Sequence, residues 1–421
     1  MFLTAIDLGT SKIKGVVTEL RKDGSLFVVK TIKRKNLGMK RGEIINPEET
    51  VTPLFSVLKE LRHFDKQCVK HLMFSIASTK SKFHQSHAVI SIAHPDQEIL
   101  PEDVERVMKE SMAINIPPGW NILHSFPREF VVDDIEVDER GVVGLSGRRL
   151  EVHATLVLIF SAAFNNFLKV ARLVLGKKQE VSGNLVFTPL ASEHAVLSSK
   201  QRELGVVCID IGAQTTNIAV FQDGKMILAK VLPVGSANIT NDLAIGLKCS
   251  PEAAEKIKIE FGAASPKEVS AKEKIALSQF DEQQESVVSR KYIAEIIEVR
   301  VREVLSLVRK ELEALKVEGE LPAGAVITGG GSKMIGVLEV ARQELKLPVQ
   351  MGMPLRGRFE ATNAHLTEQL DDPEMSVAVG MILHRLDLVK KKQPLGESGS
   401  GAYNINQSWF KKVLRTLMAL D

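Results

Sequence analysis

The stretch LTAIDLGTSKIKGVV, Leu3–Val17, decides how the rest of the chain is read, because it returns half a chain later as VVCIDIGAQTTNIAV, Val206–Val220. Each copy runs apolar strand, Asp, apolar residue, Gly, short polar turn, second apolar strand. That order predicts a β-hairpin with Asp and Gly at its bend. A further strand-like stretch follows each copy, SLFVVKTIK after the first and KMILAKVLPVG after the second, with helical segments downstream of both. Two similar β-meanders therefore lie in matching contexts.

The chemistry of such a bend is specific. Gly9 and Gly212 let backbone approach a bulky ligand with no Cβ in the way. Neighbouring N–H groups, with the hydroxyls of Thr10, Ser11, Thr215 and Thr216, suit phosphate oxygens. Asp7 and Asp210 repel phosphate, and they make sense if a Mg²⁺ with its water shell lies between them and the phosphates. Lys12 or Lys14 adds positive charge. One copy alone reads equally well as an ordinary hairpin with Asp in its turn, whereas two copies favour a ligand. A third element, GAVITGGGSKMIGVLEVARQEL, is an apolar strand from Ala325 to Thr328, then Gly329, Gly330 and Gly331, then a helix. Those glycines suit a flat base or ribose lying on backbone. There is no GxGxxG fingerprint and no GxxxxGK[ST], which disfavours a P-loop NTPase.

The totals bound the rest. The 421 residues suffice for two or more domains. Apolar residues make up 44% and charged residues 25%, as in a globular protein with a proper core. A net charge of +3 is too small to argue for nucleic acid. The opening MFLTAIDLGTSK has neither a basic leader nor a long apolar run and is not expected to be a signal peptide. Cys68, Cys208 and Cys249 stand apart with no CxxC pair, which suits a reduced, cytoplasmic protein.

Between the two meanders lies a small α+β unit. Pro101, Glu102 and Asp103 are expected to start a helix whose apolar face is Val104, Val107, Met108 and Met112, with Ile114 as a candidate to extend it. Two strands, NILHSFPREFVVDD and RLEVHATLVLIF, are expected to follow it. Residues 291–317 predict one long, core-facing helix, and Ser250 with Pro251 caps another. Glu255 and Lys258 share a face of that second helix. At the far end, NQSWFKKVLRTLMALD follows the loose run QPLGESGSGAYNI. As a helix, Trp409, Phe410, Val413, Leu414, Leu417 and Met418 form one apolar face flanked by Lys411, Lys412 and Arg415. That pattern matches a helix lying in the headgroup layer of a membrane, on a tether that gives reach without fixed geometry. The alternative is a helix that docks on its own core or in a partner's groove.

Two DxG bends and a late TGGGS loop resemble the superfamily of actin, the Hsp70 chaperones and the sugar kinases. The inserted unit narrows the choice: PEDVERV, IPPGWNILHSFPREFVVDD and GLSGRRLEVHATLV are similar to the subdomain inserted in the FtsA family of actin-like division proteins. The resemblance covers nearly the whole chain. It implies an α/β, actin-like two-lobed ATPase fold of duplicated RNase H-like domains, with the inserted α+β subdomain and a C-terminal amphipathic helix. The expected division is a first-lobe core at 1–82, completed by about 165–198 and 374–392. The insert is 83–164, an SHS2 domain. The second-lobe core is 199–236 with about 320–373, and its outer subdomain 237–319. Linker 393–406 and membrane helix 407–421 end the chain.

The resemblance implies nucleotide contacts from Asp7, Gly9, Thr10, Ser11, Lys12 and Lys14. The second bend adds Asp210, Gly212, Ala213, Gln214, Thr215, Thr216 and Asn217, and the outer subdomain Glu255 and Lys258. Gly329, Gly330, Gly331, Ser332 and Met334 would hold the adenosine, with Mg²⁺ reached through water by Asp7 and Asp210. It also implies ATP as the ligand, self-association into filaments, the FtsZ C-terminal tail and later division proteins as partners, no nucleic acid, and a place on the inner face of the cytoplasmic membrane at the division site. Two departures bear on turnover. Many members carry a Gly-rich triplet where this chain has Gly212-Ala213-Gln214, and actin-like ATPases often place Glu or Gln where Thr188 precedes Pro189. Tight ATP binding with weak or absent hydrolysis is the expectation. A PilM-like pilus-assembly protein shares the DIG bends and remains the alternative, whereas a sugar kinase would need a catalytic Asp in a recognisable context.

Overall fold

Both hairpins form where the Asp-x-Gly pattern predicts them in a computed structural model of the chain. The structure describes residues 1–390 apart from 22, 95, 140, 177–183, 271, 282–283, 318 and 355. Phe2–Leu8 pairs antiparallel with Lys12–Leu20, setting Asp7 opposite Lys14. Val206–Ile211 pairs antiparallel with Thr216–Gln222, setting Asp210 opposite Asn217. The other edge of each Asp-bearing strand takes a parallel partner, Leu72–Ile76 in the first lobe and Ala325–Thr328 in the second. A strand flanked on both edges and packed on both faces has nowhere to show a polar residue. VVCIDI is accordingly buried at every position, with Asp210 at its carboxyl end.

The first sheet runs Leu185–Phe187, Leu72–Ile76, Phe2–Leu8, Lys12–Leu20, Leu26–Lys35, Glu360–Ala361. The second runs Lys225–Leu232, Thr216–Gln222, Val206–Ile211, Ala325–Thr328, Val349–Met351. Glu360–Ala361 follows the second sheet in the chain but joins the edge of the first, with Glu360 opposite Phe27. Two helices cross beneath the cleft, Thr188–Val196 and Ser376–Lys390. A Cβ on Gly380 would collide with the carbonyl oxygen of Ala191, so the backbones touch there with no side chain between them.

The insert is a four-stranded antiparallel sheet in the order Lys82–Ser91, Arg149–Phe160, Trp120–Val132, Ile135–Val137. The two expected strands are its centre. The sequence KFHQSHAVIS hides the third, because a strand exposed on one face reads as polar. Helix Pro101–Met112 covers the sheet, with Val104 and Val107 buried against Phe130, Leu150 and Val152. Asp103 starts it by accepting from Leu100 N at 2.9 Å. His124 ties the insert to the first lobe: its Nε2 accepts from Phe187 N at 2.9 Å. Burial pushes the His124 pKa down to about 3, so the ring is neutral and serves as an acceptor.

The outer part of the second lobe carries helices Ser236–Leu247, Pro251–Phe261 and Arg290–Leu315. The long helix buries Ile293, Ile297, Val304, Val308 and Leu312 in the second core, as its periodicity predicts. The linker and the terminal segment with Trp409, Phe410, Lys411, Lys412, Val413, Leu414, Arg415, Leu417 and Met418 lie outside the described residues. Among the described residues, no helix is long and apolar enough to cross a membrane.

Candidate functional site

The two bends face each other across the cleft, and Lys14 sits between their aspartates. Its Nζ lies 2.8 Å from Asp7 Oδ2. Burial works against the Lys14 charge, yet Asp7, with help from Glu374 and Asp210, raises its pKa above the ordinary lysine value. Asp7 is braced from below by Ser75 Oγ, which donates to Asp7 Oδ1 at 2.7 Å and accepts from Leu8 N at 2.9 Å. Asp210 has a weaker brace, the Asn217 amide donating to Oδ2 at 2.8 Å. Burial lifts the Asp210 carboxyl to about 6 against the pull of Lys14 and Asn217, with Asp7 pushing the same way as burial.

Each bend is held by its own neighbours. Asn36 donates from Nδ2 to Gly9 O at 2.9 Å, and Asn36 N donates to Ser11 O at 2.8 Å. In the second bend Gly212 N donates to Thr215 O at 2.9 Å. The start of helix Ser236–Leu247 caps the bend's carbonyls, Ser236 N to Gly212 O at 2.9 Å and Ala237 N to Ala213 O at 2.6 Å. Thr216 and Asn217 are buried behind the bend, where the Thr216 hydroxyl donates to Val234 O at 2.9 Å. Ser11 and Lys12 are exposed at the cleft.

One wall of the cleft comes from a turn that the sequence reading did not single out. Lys12 Nζ lies 2.8 Å from Glu374 Oε1, and Lys14 Nζ donates to Glu374 O at 2.8 Å. Lys33 lies 3.1 Å from Asp372 and 3.3 Å from Glu374, while Lys333 reaches Asp372 at 3.1 Å. Glu374 keeps a depressed pKa because Lys12, Lys14 and Lys33 outweigh its burial. This acidic turn heads helix Ser376–Lys390. No local pattern signals it, because three of its four lysines, Lys12, Lys14 and Lys33, come from the opposite end of the chain.

The glycine run sits directly behind the second bend. Gly329 has φ of 85°, and a Cβ there would strike Asp210 Oδ1. A Cβ on Gly331 would strike the Ile211 side chain. These two glycines thus serve the contact between the loop and the bend as well as any ligand. Ser332 Oγ donates to Gly329 O at 2.7 Å, and Met334 is half-buried at the end of the turn. Further out, Lys258 is only 8% exposed and holds Glu255 at 2.6 Å, Thr240 Oγ1 at 2.8 Å and Ser236 O at 3.2 Å. Through Lys258, helix Pro251–Phe261 is therefore tied to Ser236–Leu247, the helix whose first residues cap the second bend.

Thr188 heads its crossing helix without a carboxylate of its own. The nearest acid on that helix, Glu193, accepts from Arg202 Nε at 2.9 Å and touches the His194 ring. Burial would raise its pKa, but Arg202 and His194 hold it below the ordinary value. It is a structural anion, fully engaged.

The family model for the cell division protein FtsA matches residues 207–380, and that for the SHS2 domain inserted in FtsA matches residues 79–158. The chain is 32% identical to the cell division protein FtsA of Pseudomonas aeruginosa over 94% of its own length and 92% of that protein. It is also 32% identical to FtsA of Bacillus subtilis, over 83% of this chain and 78% of that one. FtsA of Escherichia coli K12 is 28% identical over 90% and 89%. Among solved structures, the PilM-PilN type IV pilus biogenesis complex superposes with a TM-score of 0.62 at 17% identity, covering 91% of this chain and 98% of that one. MreB5 of Spiroplasma citri bound to ADP follows at 0.52 and 15%, covering 93% and 97%. These structural likenesses show the actin-like fold alone. Sequence identity along nearly the whole length, the matched insert and the paired bends of the cleft agree: the chain belongs to the FtsA family of cell division proteins.

Proposed function

We propose that this protein binds ATP with Mg²⁺ between its two bends, and that it assembles into filaments that hold the FtsZ ring to the cytoplasmic membrane. The observation that carries the reading is the pair of aspartates on equivalent strands with one buried lysine between them. A hydrated Mg²⁺ suits this donor set, since it keeps most of its waters and needs only one or two carboxylates. It would also relieve the desolvated charge on Asp210. When bound, the cation neutralises phosphate charge. Around it, Gly9, Thr10, Ser11 and Lys12 would line one side of the phosphates, with Gly212, Ala213, Gln214 and Thr215 on the other. Gly329, Gly330, Gly331, Ser332 and Met334 would carry the adenosine, and Glu255 with Lys258 its ribose side.

Hydrolysis is slow or absent in this reading, because Thr188 offers no base and Glu193 is committed to Arg202. Loss of a true general base costs about 10²–10⁴-fold. For partners, the outer second lobe exposes Ile245, Ile259 and Val299, one on each of its three helices and each more than 70% exposed, as apolar residues for the FtsZ tail. Later division proteins are further partners in this reading. The terminal helix would bind weakly alone and gain avidity along a filament. Co-sedimentation with anionic liposomes, with and without ATP, compares the full chain with one truncated at Asn406. Pelleting of the full chain alone is expected, and equal pelleting of both refutes the tether.

A further inference from the structure

Between strand Leu26–Lys35 and helix Pro47–Phe64 lies a hairpin of the smallest kind. Met39–Lys40 pairs with Glu43–Ile44, leaving Arg41 and Gly42 as its turn. Both have positive φ, 49° and 79°. A turn with two left-handed residues favours Asn-Gly or Asp-Gly, and an arginine in its first place is strained. The tip nonetheless touches both bends of the cleft. Arg41 N donates to Gln214 Oε1 at 3.0 Å, and Gly42 N donates to Thr10 Oγ1 at 3.2 Å. A Cβ on Gly42 would lie 3.1 Å from Ala77 Cβ and 3.4 Å from Thr215 Cγ2, so only glycine packs there comfortably. Glu43 secures the flank by accepting from Ser78 Oγ at 2.7 Å. The Arg41 side chain is exposed, and among the described residues no ion pair engages it.

A strained backbone held in place from both sides is most simply understood by what it presents. Asparagine would serve this turn better if only folding mattered. We propose that Arg41 binds the terminal phosphate of a nucleoside triphosphate held between the bends, and thereby separates triphosphate from diphosphate. The proposal rests on the nucleotide reading above. The guanidinium offers a planar set of donors that fits phosphate in pairs, and it stays charged at every working pH. Gln214 also gains a purpose: its side-chain carbonyl anchors Arg41 N, which a glycine at that place has no means to do.

The test is titration calorimetry of the full chain with MgATP and with MgADP. Wild type is expected to prefer ATP. Arg41→Asn is expected to lose at least tenfold in ATP affinity and less than twofold in ADP affinity. It should melt no lower than wild type, because asparagine is at home in a left-handed turn. Arg41→Lys, keeping the charge without the fork, is expected to fall between. Equal losses for the two nucleotides, or no loss for either, overturn the proposal. A wild-type protein that binds neither nucleotide overturns the cleft reading itself, and the proposal with it.

Discussion

Asp7 and Asp210 occupy equivalent places on equivalent hairpins, yet they live in opposite electrical circumstances. Across the strand from Asp7 stands Lys14, a cation at 2.8 Å, and below it Ser75 donates a second bond. Across from Asp210 stands Asn217, a neutral amide. The first carboxylate is paired and hydrogen-bonded within its own lobe. The second is desolvated with half the support, and its pKa has risen to about 6. The duplicated backbone therefore carries one finished ion pair and one incomplete site. A bound cation has more to gain beside Asp210 than beside Asp7.

That contrast is open to breakage at several places. The largest effect is expected from Asp7→Ala, which takes from the buried Lys14 its paired carboxylate and leaves it the Glu374 carbonyl and the fields of Glu374 and Asp210. It should lower stability in urea by about 3–5 kcal/mol. The equivalent change on the other hairpin, Asp210→Asn, should have the opposite sign, since it removes a carboxylate that burial penalises. A rise of about 1–3 kcal/mol at pH 8 is expected, read in the same denaturation experiment. If both variants are destabilised alike, the bends are electrostatically equivalent and the contrast fails.

Gly329→Ala probes the wall behind Asp210. Its positive φ and the clash with Oδ1 should cost about 1–3 kcal/mol in thermal unfolding. Acid sharpens the comparison further. The folded Asp210 pKa lies above its unfolded value, so the proton favours the folded state. That contribution is fully present below about pH 4 and fades as pH rises through about 6. Cation binding runs the other way: Mg²⁺-dependent nucleotide affinity should drop about tenfold per unit below pH 6, tracked by calorimetry. Asp210→Asn should flatten that profile. The smallest effect is expected from Glu374→Gln, which loosens Lys12 from the acidic turn. Stability should move by less than about 1 kcal/mol, because Lys12 is half-exposed. Nucleotide should bind a few-fold tighter, since phosphate no longer competes with a carboxylate for Lys12.

Much of this was written in the chain. Asp, Gly and the flanking apolar strands are local features with a local consequence, so both hairpins, their order and the glycine run behind the second could be read directly. The insert's helix announced itself through Pro101 and Asp103. What stayed hidden joins distant segments. Ser75 beneath Asp7, Asn36 on the first bend, Glu374 over Lys12 and His124 on Phe187 N are single residues without a motif, and their partners are far along the chain. The Arg41-Gly42 turn escaped notice for a different reason. It lacks the Asn or Asp that marks such turns, because the place is filled by a residue the turn itself does not favour. The two strands expected after the insert's helix are there, and Lys82–Ser91 before it was not read because an exposed edge strand carries its polar face in plain view.

The crossing of the two helices under the cleft has a mechanical meaning. At Gly380 and Ala191 the backbones meet without interlocked side chains. A contact of that kind fixes the distance between the two helices, and around it Val377, Val379, Met381, Ile382 and Leu383 are buried in the first core. The helix that makes it, Ser376–Lys390, starts directly after the acidic turn that holds Lys12. Because a close-packed interior transmits strain, a displacement of that turn would be felt at the crossing as well as in the cleft.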